Sequence, residues 1–236
     1  MSDYERYGDY DNIDDEAPRS SGGVMLLLKI ITAVVCLGVV GIIAFRMILF
    51  NKYPSEVKDF YISEGFLEYY KAEGCMPSVK TQSLRSPYDD PDLGNFFCDH
   101  LYVAQDIGEV QIAVRYNTAT VARIAEEKKL ELSADDESCF TYHLCINYSN
   151  GKKGAEQKLV YIDVPAAELY EEQMMYRYKK LVFSGVDFEK DDKGNYPVWM
   201  RLEVLVDGEV YGMVPIYENH SEYSRFTECE IEMPEE

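Results

Sequence analysis

The sequence predicts a mainly β protein with one transmembrane helix: an antiparallel β-sandwich, Ig-like or similar, with a helix insertion and an N-terminal juxtamembrane helix. Three observations carry this. One uncharged apolar run lies near the N-terminus, most segments after residue 101 alternate with period two, and a single helical pattern interrupts them. Four regions follow: an acidic tail at 1–23 expected to be disordered, an anchor helix at 24–50, a juxtamembrane helix and long loop at 51–98, and the β-sandwich at 99–236.

Ile30 to Phe45 (IITAVVCLGVVGIIAF) is uncharged, and Met25–Leu28 and Met47–Phe50 extend its apolar character. With those flanks the helix is long enough for a hydrocarbon layer of roughly 30 Å. Lys29 and Arg46 stand near its ends, where their stems can stay in lipid while the cations reach the headgroups. A cleavable signal peptide fits less well: the preceding segment is acidic and Phe45-Arg46-Met47 lacks a small-x-small site. Arg19 and Lys29 on one side, against Arg46, Lys52 and Lys58 on the other, leave the positive-inside count near a tie. The N-terminus is nonetheless expected in the cytoplasm and the C-terminal domain outside, because a single span ahead of a β-rich domain most often exports that domain.

The acidic tail holds Tyr4, Tyr7 and Tyr10 among carboxylates and has too few aliphatic groups to offset its ordering entropy. Pro54 to Glu73 places Val57, Phe60, Tyr61, Leu67 and Tyr70 near helical spacing, with Pro54-Ser55 as a start and Gly74 as a stop, and reads as one helix. Residues 75–98 carry Pro77, Pro87, Pro91 and Gly94 and read as a loop.

Val110–Tyr116, Phe140–Tyr148, Leu159–Val164, Met174–Phe188 and Val198–Val206 read as strands. Asp207-Gly208 suits a two-residue hairpin turn, from which Val210–Tyr217 returns. Pro215 has no N–H for a ladder, so the returning strand should lie at an edge or end there. Thr118–Leu130 is the inserted helix, and after Ile231 the chain is expected to fray.

The 236 residues carry 43 Asp and Glu against 23 Lys and Arg, a net charge of -20 that excludes nucleic acid as a partner. No Gly-x-Ser-x-Gly, phosphate loop or dinucleotide fingerprint is present. Cys139 and Cys145 share a strand face about 20 Å apart, too far to pair or to share a zinc with His143. The Asp187–Asn195 cluster mismatches a calcium loop, since Gly194 comes late and Val198 takes the twelfth place. The Tyr88–Asp92 cluster reads as solvated loop. Asn147 and Asn219 begin glycosylation sequons. No cofactor or metal is expected.

In organisation the chain resembles the single-pass proteins of bacterial envelopes that present a small β-rich domain outside the membrane. The expected partners are the lipid bilayer, through residues 24–50, and a protein. The expected role is a binding, assembly or accessory module of the cell envelope rather than an enzyme, with a membrane-tethered hydrolase using carboxylates as the alternative. The candidate binding residues are Trp199, Arg201, Tyr211 and Met213: alternate positions on two neighbouring strands, of types enriched in interface hot spots. The competing structural role is burial of Trp199 against Thr118–Leu130.

Overall fold

The computed structural model describes residues 22–51, 54–84, 96–131, 139–163, 168–173, 176–218 and 226–233. The tail up to Ser21, the Tyr88–Asp92 cluster and the Asn219 sequon lie outside them. Two units are present, Met1–Asn51 and Lys52–Glu236.

The first unit holds α1 (Gly22–Asn51), of which Gly23–Ile48 is long and apolar enough to cross a membrane. At the helical rise its 26 residues span about 39 Å, enough for a hydrocarbon layer with tilt to spare. Side chains are exposed all round, from Leu37 to Val40, as expected of a helix with no polar face. Thr32 turns its hydroxyl back to the carbonyl of Leu28 at 2.9 Å, so its polar group is satisfied within the helix.

The second unit opens with α2 (Ser55–Lys58) and α3 (Glu64–Glu73). The single helix expected over Pro54–Glu73 is therefore broken. Asp59 takes extended geometry, and Ser63 caps the second helix by accepting the N–H of Phe66 at 3.1 Å. Phe60-Tyr61-Ile62 lies between the two, and tertiary hydrogen bonds described below hold it there. Gly74 ends α3 in the left-handed region, as expected.

Among the described residues ten strands follow: β1 (Val79–Ser83), β2 (Phe96–Ala104), β3 (Glu109–Asn117), β4 (Phe140–Ser149), β5 (Lys158–Asp163), β6 (Glu168–Gln173), β7 (Tyr176–Ser184), β8 (Tyr196–Val206), β9 (Glu209–Glu218) and β10 (Thr227–Glu228). The inserted helix α4 (Thr118–Lys128) joins β3 to β4, with the Asn117 side chain accepting the N–H of Ala119 as its cap. One antiparallel sheet has the order β10-β1-β2-β3-β7-β6, the other β5-β4-β8-β9.

Both sheets contribute to one hydrophobic core. Leu101, Ile112, Leu181 and Phe183 of the six-stranded sheet meet Leu144, Ile146, Met200, Leu202 and Val204 of the four-stranded one. Phe96, Tyr116 and Phe140 bridge the sheets edge to face, at 5.7 and 5.2 Å between ring centroids.

Two stretches expected as loop are strands. β1 and β2 lie in or overlap residues 75–98, and β2 hides its period because a bulge at Cys98–His100 shifts register and both faces are largely covered. The strand expected over Met174–Phe188 stops at Ser184, with Val186 buried in the turn beyond. β3 alternates apolar and polar residues, yet it is buried at every residue. On its second face Gln111 bonds the Tyr61 backbone, and beside it Phe66, Val79, Tyr102 and Ala104 form a smaller core joined by Phe60, Ile62, Cys229, Ile231 and Met233. The expected fraying after Ile231 is thus not seen through Met233.

The β8–β9 hairpin forms as read: Asp207 and Gly208 both have positive φ, 52° and 77°, the requirement of the tight turn. β9, with Pro215, lies at the edge of its sheet.

Candidate functional site

Side chains pointing away from the core on the four-stranded sheet form the surface that carries the candidate residues. Register places Asp163, Tyr161 and Leu159 of β5 opposite His143, Cys145 and Asn147 of β4. These in turn lie opposite Glu203, Arg201 and Trp199 of β8, and Met213 of β9 faces Glu203. Leu159, Tyr161, Val210 and Met213 are among the large apolar side chains left exposed in this unit.

Trp199 is half-buried and does not serve as core against α4. Its ring carries the Arg201 guanidinium at 4.4 Å in a cation–π contact. Met213 shares this surface through its pairing with Glu203. Tyr211 does not. A bulge between Val204 and Leu205 leaves it outside the paired register, and it packs against the core edge with its hydroxyl 3.4 Å from Glu127 and Lys128 over its ring. Of the four expected residues, the sheet brings Trp199, Arg201 and Met213 together and sends Tyr211 to α4.

Sequence reading missed Leu159, Tyr161 and His143 as members of this surface. The alternation along β5 contained a signal, but which strand β5 adjoins is settled only by pairing. His143 sits between two carboxylates, with Nε2 3.0 Å from Asp163 and Nδ1 4.0 Å from Glu203. Asp163 is 86% exposed, so this pair is solvated, whereas Glu203 is nearly covered. The Cys145 thiol beneath them is pushed up by burial and by the neighbouring Glu203 charge, which keeps it protonated and a poor nucleophile. The surface thus brings together an aromatic–arginine stack and apolar side chains, with one imidazole between acids.

No protein-family model, curated protein or solved structure matches the chain.

The other sequence candidates resolve individually. Cys36, Cys75, Cys98, Cys145 and Cys229 are free thiols, and among the described residues no group of three or more His, Cys, Asp or Glu is arranged for a metal ion. Asp191 spends its carboxylate on its own loop, accepting the N–H groups of Lys193 and Asn195, both at 2.8 Å, and the Asn195 amide at 2.9 Å. These bonds draw its pKa below the usual aspartate value and organise the turn. Asn147 is 1% exposed on β4, so its sequon is not presented in the folded domain.

Proposed function

We propose that the chain is a single-pass membrane protein that tethers an acidic β-sandwich domain and presents the outward surface of its four-stranded sheet to a protein partner, as a binding or assembly module of the cell envelope. The observation that carries the reading is the pairing of a membrane-length apolar helix with a separate β unit whose exposed sheet surface holds the Trp199–Arg201 stack beside Tyr161, Leu159 and Met213. In this reading α1 lies in the bilayer, the N-terminus is cytoplasmic and the β domain is extracytoplasmic.

The carboxylate–imidazole arrangement at His143 is what favours the hydrolase alternative. Against it stand the exposure of Asp163 and the protonated state of Cys145, which leave no assembled nucleophile on this surface.

The test has two arms. The full chain should stay in the membrane pellet after alkaline carbonate, and a tag after Glu236 should be cleaved by protease added outside sealed cells. Release into the supernatant overturns the anchor, and protection of the tag overturns the orientation. In the second arm, a photo-crosslinker at Tyr161 should give a discrete protein adduct in native membranes. Trp199→Ala and Arg201→Ala should each remove that adduct while changing stability by less than about 1 kcal/mol, the worth of an exposed cation–π stack. An unchanged adduct, or a large loss of stability, sinks the binding surface.

A further inference from the structure

Strand geometry forces adjacent Lys179 and Lys180 of β7 to opposite faces of the sheet. Lys179 points towards the four-stranded sheet and the ring of Tyr142, whereas Lys180 points into the layer beneath residues 54–63 and is 0% exposed. Its ammonium donates to the carbonyl of Asp59 at 2.8 Å and to that of Lys58 at 3.3 Å, and lies 4.6 Å from the centre of the Tyr102 ring. Tyr102 donates its own hydroxyl to the same Lys58 carbonyl at 2.8 Å. These groups all converge on the break between α2 and α3, where residues 54–63 cross the six-stranded sheet as a strap.

A buried ammonium is retained at little cost only when a carboxylate pairs with it. Among the described residues, the hydrogen bonds of Lys180 go to carbonyls, not to a carboxylate. The described residues place the following groups around it. The strap supplies Lys58 and Asp59, and β2 supplies His100 and Tyr102. β3 supplies neutral Ala113 at the paired position with Gln111 and Arg115 on either side of it on the same face, the β6 backbone pairs there through Leu169, and Cys229 follows β10. Asp59 and the Cys229 thiol favour the charged amine, but desolvation outweighs them and pulls the Lys180 pKa down from 10.5 to about 7.

We propose that Lys180 is a proton-sensitive latch for the strap: loss of its proton tightens residues 54–63 onto the six-stranded sheet, and protonation loosens them.

The sign follows from proton counting. Opening the strap returns the amine to water and to its ordinary affinity, so between pH about 7 and 10.5 the open state holds a proton that the closed state lacks. Closure is therefore favoured about tenfold more for each pH unit gained across that window. Below about pH 7 both states are protonated, and the dependence on pH ends. The latch does not depend on the membrane reading or on the identity of a partner.

Amide exchange reports it directly. In the full chain held in detergent, the Asp59 N–H is bonded to the Ser55 carbonyl and the Tyr61 N–H to the Gln111 side chain, so both report strap opening. Exchange is base-catalysed, so a control such as the Leu130 N–H, bonded to Ala125 at the end of α4, should accelerate about tenfold per pH unit. From about pH 7 to pH 9 the strap amides should instead level off, because tighter closure cancels the faster chemistry. Lys180→Met should abolish the levelling. Strap amides that track the control in the wild type, or levelling that survives in Lys180→Met, overturn the proposal. Should that variant fail to fold, the Lys180 side-chain resonances of the wild type decide: a midpoint near 7 supports the latch, and one near the ordinary lysine value overturns it.

Discussion

Gly108 gives the sharpest quantitative prediction. It ends the 3-10 turn after β2 with φ 62°, donates to the Gln105 carbonyl at 3.1 Å, and accepts the N–H of Val186 at 2.8 Å. A Cβ at this position would lie 2.7 Å from the Val186 carbonyl oxygen, a backbone atom with no rotamer to escape through. Gly108→Ala therefore carries two costs. Left-handed geometry costs an L-residue about 1–2 kcal/mol, offset by roughly 0.4–1 kcal/mol of lost unfolded-state freedom. Relieving the contact also moves Val186, which is 2% exposed, and loses about 1 kcal/mol of hydrogen bond together with a similar amount of packing. The sum is about 3 kcal/mol. For a chain of this size that lowers the thermal midpoint by roughly 6–12 °C. Gly74→Ala is the control, since its φ is 68° but nothing lies within 4 Å of the added Cβ, so only the strain less its unfolded-state offset remains, roughly 0–1.6 kcal/mol. Thermal and urea unfolding of the full chain in detergent, followed by circular dichroism and by the fluorescence of the single tryptophan, measures both variants. A Gly108→Ala loss equal to that of Gly74→Ala would refute the close-contact argument.

Two further outcomes follow from the polar groups. Gln111→Leu removes the bonds to both the N–H and the carbonyl of Tyr61, at 2.8 and 2.6 Å, and should speed exchange of the Tyr61 amide roughly 30-fold, the equivalent of about 2 kcal/mol. Unchanged exchange would mean that the strap is held elsewhere. Asp191 has its carboxylate form stabilised by the Asn195 N–H and amide, so its contribution is complete above the unfolded value of 3.8 and disappears as pH falls through the lower folded value. Amide resonances of Lys193 and Asn195 should therefore hold their positions through mild acid and shift only below the ordinary aspartate range; movement of both at the ordinary value would refute it.

Features decided within a few neighbouring residues were legible in the sequence. The apolar helix, the α4 insertion, the Asp207-Gly208 turn and the edge position of the Pro215 strand each follow from local backbone chemistry, and each is present. Grouping Trp199, Arg201 and Met213 followed from period-two alternation on two strands joined by a known turn. Tyr211 escaped that reasoning because a bulge, which leaves no mark in the alternation, reverses the side on which it emerges.

Tertiary structure alone decided what covers each sheet. Glu109, Gln111 and Arg115 alternate with the core positions of β3, yet all three are buried, and Gln111 satisfies the backbone of Tyr61 in the covering strap, 50 positions away in the sequence. That bond holds Phe60-Tyr61-Ile62 extended where local spacing favoured a helix. The same cover removes Lys180 from water. Alternation along a strand states that its two faces differ. It does not state which neighbour rests on each, because burial is set by contacts distant in the chain, and those contacts determine both the charge state of Lys180 and the membership of the exposed surface around Trp199.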